Sequence, residues 1–134
     1  MKGEKMTVKT FCEKRKVVIA EDETDLLENL VEFFESLDFV VAGARTGDEA
    51  WEQVRAGRPH VVVSDLLLPG CSGFDLLEKI KADAALADIP VIVLSARVDS
   101  DSVARARRLG AAEYITKPFR LAELWDAVER AIPN

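Results

Sequence analysis

Several residue types that would signal an extracellular, metal-rich or membrane protein are scarce in this sequence. Two cysteines, Cys12 and Cys71, are too few for a disulfide framework, and no CxxC pair exists to hold a metal. One histidine, His60, stands just before an apolar run and reads as the start of a strand, which disfavours a phosphohistidine donor. No apolar run nears the roughly 20 residues needed to cross a bilayer. The longest, Val61–Val63 and Leu66–Leu68, are interrupted by Ser64, Asp65 and Pro69. The N-terminus lacks a signal-peptide apolar core, so the cytoplasm is the expected compartment, with no membrane contact. Basic charge is also short. Eighteen Lys and Arg face 24 Asp and Glu, a net charge of −6, so direct nucleic-acid binding by the domain is not expected.

What is present suits one globular domain. The chain has 134 residues, of which 49% are hydrophobic and 31% charged, an ordinary balance for a packed core. Met1–Arg15 stand apart: they are basic (Lys2, Lys5, Lys9, Lys14, Arg15) and show neither helix nor strand period. They read as a flexible tail or a short docking arm, and residues 16–134 as the domain.

From Val17 onward short apolar runs alternate with amphipathic stretches. Val17–Ile19 predict a first strand, and Leu27, Leu30, Val31, Phe34 and Leu37 recur at helix spacing. Phe39–Val41 predict a second strand. Thr46 and Glu49 read as a capping box opening a helix that Arg58 and Pro59 end. Val61–Val63 are the most β-branched strand. Pro69, Gly70 and Gly73 mark a loop, with Cys71 read as an inert residue in it, before a helix carrying Leu76, Leu77 and Ile80. Pro90 opens a fourth strand, Val91–Leu94. Ser100 or Asp101 is the expected cap of the next helix, with Val103, Ala106 and Leu109 inside and Gly110 as terminator. Tyr114–Thr116 give a fifth strand, and Leu121, Leu124, Trp125, Val128 and Ile132 the inward face of the last helix. Trp51 and Trp125 read as helix packing or partly exposed surface. Strands apolar throughout are buried on both faces, and alternating strand–helix order gives a doubly wound parallel α/β sheet with helices on both sides.

In such sheets the chemistry sits at the C-terminal ends of the strands. The first strand ends in Glu21 and Asp22, the third in Asp65, the fourth in Ser95 and the fifth in Lys117-Pro118. The second ends in Arg45 and Thr46, which read as loop and cap residues. Three crowded carboxylates repel one another and attract a hard cation; magnesium binds to one or two carboxylates with waters and phosphate oxygens. A lysine opposite them balances charge, and a hydroxyl adds a neutral hydrogen bond. This set suits phosphoryl transfer, which consists largely of positioning and charge neutralisation. Asp65, on the central strand, is the candidate nucleophile.

From Lys16 to about Ile132 the chain resembles the receiver domain of two-component response regulators. The matching segments are V-V-I-A-E-D-E at Val17–Glu23, V-V-V-S-D-L-L-L-P-G at Val61–Gly70, V-I-V-L-S-A at Val91–Ala96 and G-A-A-E-Y-I-T-K-P-F at Gly110–Phe119. The resemblance implies the flavodoxin-like strand order 2-1-3-4-5, for which a chemotaxis receiver is a standard example. It implies that Asp65 accepts the phosphoryl group, that Asp22 and Asp65 bind Mg2+ directly and Glu21 through water, and that the Leu67 carbonyl is a further ligand. Ser95 would hydrogen-bond the phosphoryl group and Lys117 pair with it, across a cis bond to Pro118. Ser95 and Tyr114 would form the switch. The implied donor is a histidine kinase or a histidine phosphotransfer protein. Glu21 stands where aspartate is commoner, and Ser95 where threonine is about as usual; neither change removes a function.

Three rival functions fit less well. A haloacid-dehalogenase-type phosphatase wants a second aspartate two residues after the nucleophile, and Leu67 stands there, so turnover catalysis is not expected. A flavin or nucleotide binder needs a phosphate cradle after the first strand, and Glu21-Asp22-Glu23 would repel one. A phosphorylation-independent interaction domain would not need the intact set. No effector follows Asn134, so the output is expected through a protein partner or a missing effector domain. Arg105 and Glu123 resemble one pair used in dimers of the DNA-binding subgroup, but Ala112 and Ala127 replace another. A monomer or weak dimer is the expectation.

Overall fold

Every strand in this chain sends apolar side chains to both faces of one sheet, which explains why the runs are continuous rather than alternating. The computed structural model describes residues 14–132. In chain order the elements are β1 (Lys16–Ala20), α1 (Thr24–Ser36), β2 (Val40–Ala44), α2 (Gly47–Gly57) and β3 (Val61–Asp65), followed by α3 (Gly73–Ala82), β4 (Val91–Ser95), α4 (Ser100–Arg108), β5 (Glu113–Thr116) and α5 (Leu121–Ala131). All strand pairs are parallel, in the order β2-β1-β3-β4-β5. The doubly wound, flavodoxin-like expectation therefore holds.

Alternate strand residues feed two cores. Val17, Ile19, Val61, Val63, Ile92 and Leu94 meet Leu30 and Phe34 of α1 and Leu124 and Val128 of α5. Val18, Ala20, Val62, Val91 and Val93 meet Ala50 and Val54 of α2, Leu76, Leu77 and Ile80 of α3 and Ala106 of α4. β3, in the middle of the sheet, is buried along its whole length, so Asp65 at its end is carried on a rigid element.

The local details correct the sequence reading in five places. β2 begins at Val40 and runs to Ala44; Phe39 is instead a buried ring edge-on to Phe34 at 5.2 Å. Thr46 caps α2 by accepting from the Glu49 N–H at 3.1 Å, but the Glu49 carboxylate takes the N–H of Arg45 rather than Thr46, so the box there is only half made. The complete capping box is at Ser72 and Asp75, opening α3. α4 is capped by Asp99, not by Ser100 or Asp101: its carboxylate accepts from the Ser102 N–H at 2.9 Å. Ser102 is buried in that helix while Val103 is only half-buried. In the last helix Leu121 is 42% exposed, beyond the core its neighbours fill.

The expectation for Met1–Arg15 falls mostly outside the described residues. Of the two that are described, Lys14 pairs with Asp38 and the Arg15 carbonyl accepts from the Val40 N–H at 2.9 Å, which ties the chain beside the C-terminal end of α1. His60 lies immediately before β3 and its Nδ1 accepts from the Lys16 N–H. Among the described residues no helix is long and apolar enough to cross a membrane.

Candidate functional site

Parallel pairing in register brings the C-terminal ends of β1, β3, β4 and β5 to one edge of the sheet, and the polar residues read from the sequence gather there. Glu21 follows β1, and its backbone N–H donates to the Ala44 carbonyl at the end of β2, which continues the ladder past the strand. Its side chain is turned inward and 1% exposed, whereas the next residue, Asp22, is exposed. Asp65 ends β3 at 7% exposure. Carboxylate oxygens of Glu21, Asp22 and Asp65 lie within 4.8 Å of one another. This is a hard-oxygen set that is open to solvent on the Asp22 side and could hold a metal cation.

Lys117 reaches into this set from the residue after β5. Its Nζ donates to Asp65 Oδ2 at 2.7 Å and to Glu21 Oε1 at 2.8 Å. Its peptide bond to Pro118 is cis, as the resemblance implied. The other oxygen of each buried carboxylate is held by backbone. Asp65 Oδ1 accepts from the Leu67 N–H at 3.1 Å, and Glu21 Oε2 from the Glu23 N–H at 3.1 Å. Burial pushes the Glu21 carboxyl above its ordinary range, and the bonds from Lys117 and Glu23 offset this only in part. Burial also works against the Lys117 ammonium, but the hydrogen bonds to Asp65 and Glu21 outweigh it and hold the pKa above the usual lysine value.

Ser95 ends β4 and is fully buried. Its Oγ accepts from the Arg97 N–H at 3.0 Å, and its carbonyl accepts from the Lys117 N–H at 2.9 Å. Tyr114, on β5, is half-buried against the α2–α4 side of the sheet, and its hydroxyl donates to the Arg97 carbonyl at 2.7 Å. Ser95 and Tyr114 thus hold the same residue, Arg97, by its N–H and its carbonyl. Leu67 has an exposed side chain beside Asp65. All seven residues singled out from the sequence are at or beside this edge.

Arg45 is the residue that sequence reading missed. It stands after β2, and its guanidinium donates to the Asp22 carbonyl at 3.2 Å, fixing the β1–α1 loop from outside. The reading of Cys71 as inert fits its burial: the thiol is pushed up in pKa by burial, away from the reactive thiolate.

The comparisons with known proteins agree with this geometry. Residues 17–129 match the family model of the response regulator receiver domain. The phosphate regulon transcriptional regulatory protein PhoB of Klebsiella pneumoniae is 34% identical over 110 residues, which are 82% of this chain and 48% of that protein. The DNA-binding response regulator MtrA of Mycobacterium leprae is 32% identical over 111 residues, 83% of this chain and 48% of that protein. The chain spans about half the length of these curated relatives. Among solved structures, the non-phosphorylated HemR receiver domain of Leptospira biflexa superposes with a TM-score of 0.82 at 37% identity, covering 90% of this chain and 96% of that one.

Proposed function

The chain belongs to the response regulator receiver domain family of two-component systems, and from that premise we propose that Asp65 is its phosphoacceptor. The observation that carries the reading is the engagement of Asp65 by Lys117 and the Leu67 N–H, with Glu21 and Asp22 alongside. An Asp65 carboxylate oxygen attacks the phosphorus of a phosphohistidine on a histidine kinase or phosphotransfer protein. The new O–P bond forms as the N–P bond breaks, and the imidazole leaves with the electron pair and takes up a proton. Lys117 balances the charge of the acyl phosphate, and the Ser95 hydroxyl hydrogen-bonds one of its oxygens.

The carboxylate set fits Mg2+; Asp22 and Asp65 would hold it directly, Glu21 through water, and the Leu67 carbonyl would be a further ligand. When bound, the ion supplies shielding between the attacking carboxylate and the phosphoryl oxygens. We read the domain as a cytoplasmic switch rather than a turnover enzyme, because Leu67 offers no proton shuttle beside Asp65. Output passes from Ser95 through the Arg97 loop to Tyr114 and the face of α4, β5 and α5, to a protein partner or an effector domain. Arg105 stacks its guanidinium over the Phe74 ring at 4.1 Å, a contact that a dimer pairing Arg105 with Glu123 would have to exchange. That supports a monomer or weak dimer.

The test is incubation with Mg2+ and acetyl phosphate or a cognate kinase. Wild type takes up acid-stable, base-labile label, and Asp65→Asn takes up none. Equal labelling of the variant would place the acceptor elsewhere.

A further inference from the structure

Of the three carboxylates at the sheet edge, two are locked by hydrogen bonds and one is not. Glu21 and Asp65 each have one oxygen on Lys117 and the other on a backbone N–H. Asp22 is exposed, and among the described residues the one hydrogen bond it makes is through its carbonyl, which accepts from Arg45 Nη2 at 3.2 Å. Arg45 is therefore the only side chain that fixes the third carboxylate of the set, and it does so through the backbone.

Arg45 is itself anchored on the far side of the site. It follows β2, and its N–H donates to Glu49 Oε1 at 2.9 Å. The preceding residue, Ala44, accepts from the Glu21 N–H at 2.9 Å. Two residues on, the Gly47 N–H donates to the Pro69 carbonyl at 3.3 Å, and a Cβ on Gly47 would fall on the Cys71 carbonyl. The segment Arg45–Gly47 is thus pressed against the β3–α3 loop, which leaves Asp65 through Leu66 and Leu67. One short turn ties the loop carrying Asp22 to the loop carrying Leu67. The guanidinium forms no ion pair among the described residues, so it holds the loop without taking an oxygen from the carboxylate set.

We propose that Arg45 is a positioning residue for the divalent cation: by tying the Asp22 backbone to the β2–α2 turn it keeps the Asp22 carboxylate within reach of an ion on Asp65. This rests on the Mg2+ reading above. Two effects of opposite sign compete. As a positive charge, Arg45 repels a second cation; as a donor, it removes backbone freedom that binding would otherwise have to freeze. Arg45 is exposed, so water and salt screen the repulsion, whereas the ordering is not screened. The ordering therefore governs, and loss of Arg45 weakens binding.

The test titrates Mg2+ alone into the full chain by calorimetry, with no phosphodonor present. Arg45→Met should raise the Kd about tenfold, the lower end of what losing the outer hydrogen-bond partner of a metal ligand costs, while the urea midpoint without Mg2+ stays that of wild type. Arg45→Lys, which keeps a donor and the charge, should recover part of the loss. In the metal-free protein the order parameter of the Asp22 amide should fall in Arg45→Met from about 0.85 toward about 0.6, with those of Val18 and Leu30 unchanged. A Kd for Arg45→Met equal to or below that of wild type overturns the proposal, because repulsion then governs. So does an unchanged Asp22 order parameter, because the bond then orders nothing. Asp22→Asn, run alongside, separates these results from a failure of the Mg2+ reading. If wild type binds no Mg2+, or Asp22→Asn binds it equally well, the cation assignment falls and takes the proposal with it.

Discussion

Replacing Gly73 with alanine tests how tightly α3 is pressed against the strand that carries Asp65. A Cβ built on Gly73 falls on the carbonyl oxygen of Asp65, 2.6 Å from the Leu66 Cα and 2.9 Å from the Asp65 carbonyl carbon. All of these are backbone atoms, so no side chain can swing away. Ordinary contact begins near 3.4 Å, so helix or strand end has to move by about an ångström. α3 cannot move freely, because Leu76, Leu77 and Ile80 are fully buried and the Gly73 N–H is bonded to the Leu66 carbonyl at 2.9 Å. Overpacking of this kind costs about 1–3 kcal/mol. The better helix propensity of alanine returns at most about 1 kcal/mol. The expected net loss is therefore about 1–2 kcal/mol, or roughly a 0.5–1 M drop in the urea midpoint for a domain of this size. Gly57→Ala is the control. That Cβ meets nothing within 4 Å, and the change should be neutral or stabilising by about 0.4–1 kcal/mol. The same pair is assayed for acyl-phosphate formation, where Gly73→Ala should be slow because Asp65 has shifted, and Gly57→Ala should match wild type. A Gly73→Ala midpoint at or above that of wild type would refute the packing argument.

Two further predictions concern the site edge. Tyr114→Phe removes the bond to the Arg97 carbonyl. It should cost about 0.5–1.5 kcal/mol and speed amide exchange across Ala96–Asp99, and unchanged exchange would show that the hydroxyl does not hold the loop. Lys117→Met bears on pH. The folded lysine titrates above its usual 10.5, so its contribution to stability is complete below that value and is lost as pH rises through the folded one. Wild type should lose its stability advantage over the variant on the alkaline side, by urea midpoints taken up to about pH 11.5; parallel curves would sink the assignment.

How much of this was legible in advance follows from where each signal lies. Val61–Val63 and Val91–Leu94 are apolar at every position because two cores claim alternate residues, and that pattern alone names a parallel sheet. Glu21, Asp65, Ser95 and Lys117 were legible because each is a polar residue ending an apolar run. The cap of α4 was not: Asp99, Ser100 and Asp101 all have capping side chains, and the choice falls on the one whose backbone is extended, with φ −68° and ψ 144° at Asp99. β2 was cut short because Ala42, Gly43 and Ala44 have little strand propensity; parallel pairing with Val18, Ile19 and Ala20 carries them into the sheet. Arg45 was missed for a different reason. It acts on a backbone carbonyl 23 residues away, and no side-chain spacing records such a contact.

The bonds at the sheet edge also explain why a lysine and not an arginine stands at position 117. Glu21, Asp22 and Asp65 with Lys117 sum to a formal charge of −2, which a divalent cation would balance and a monovalent one would not. An arginine would engage a carboxylate through two fixed N–H groups and occupy both oxygens of Asp65, whereas the ammonium takes one and leaves Oδ1 to the Leu67 N–H. The backbone of Lys117 is meanwhile fixed, since its N–H is bonded to the Ser95 carbonyl. Ser95 is in turn joined through Arg97 to Tyr114, two residues along β5 from Thr116. The counter-ion of Asp65, the buried hydroxyl and the half-buried ring are therefore linked by hydrogen bonds and the β5 backbone across β4 and β5. A new anion accepting from Ser95 and Lys117 together draws on both ends of that linkage, and the Arg97 carbonyl bond to Tyr114 is its solvent-exposed member.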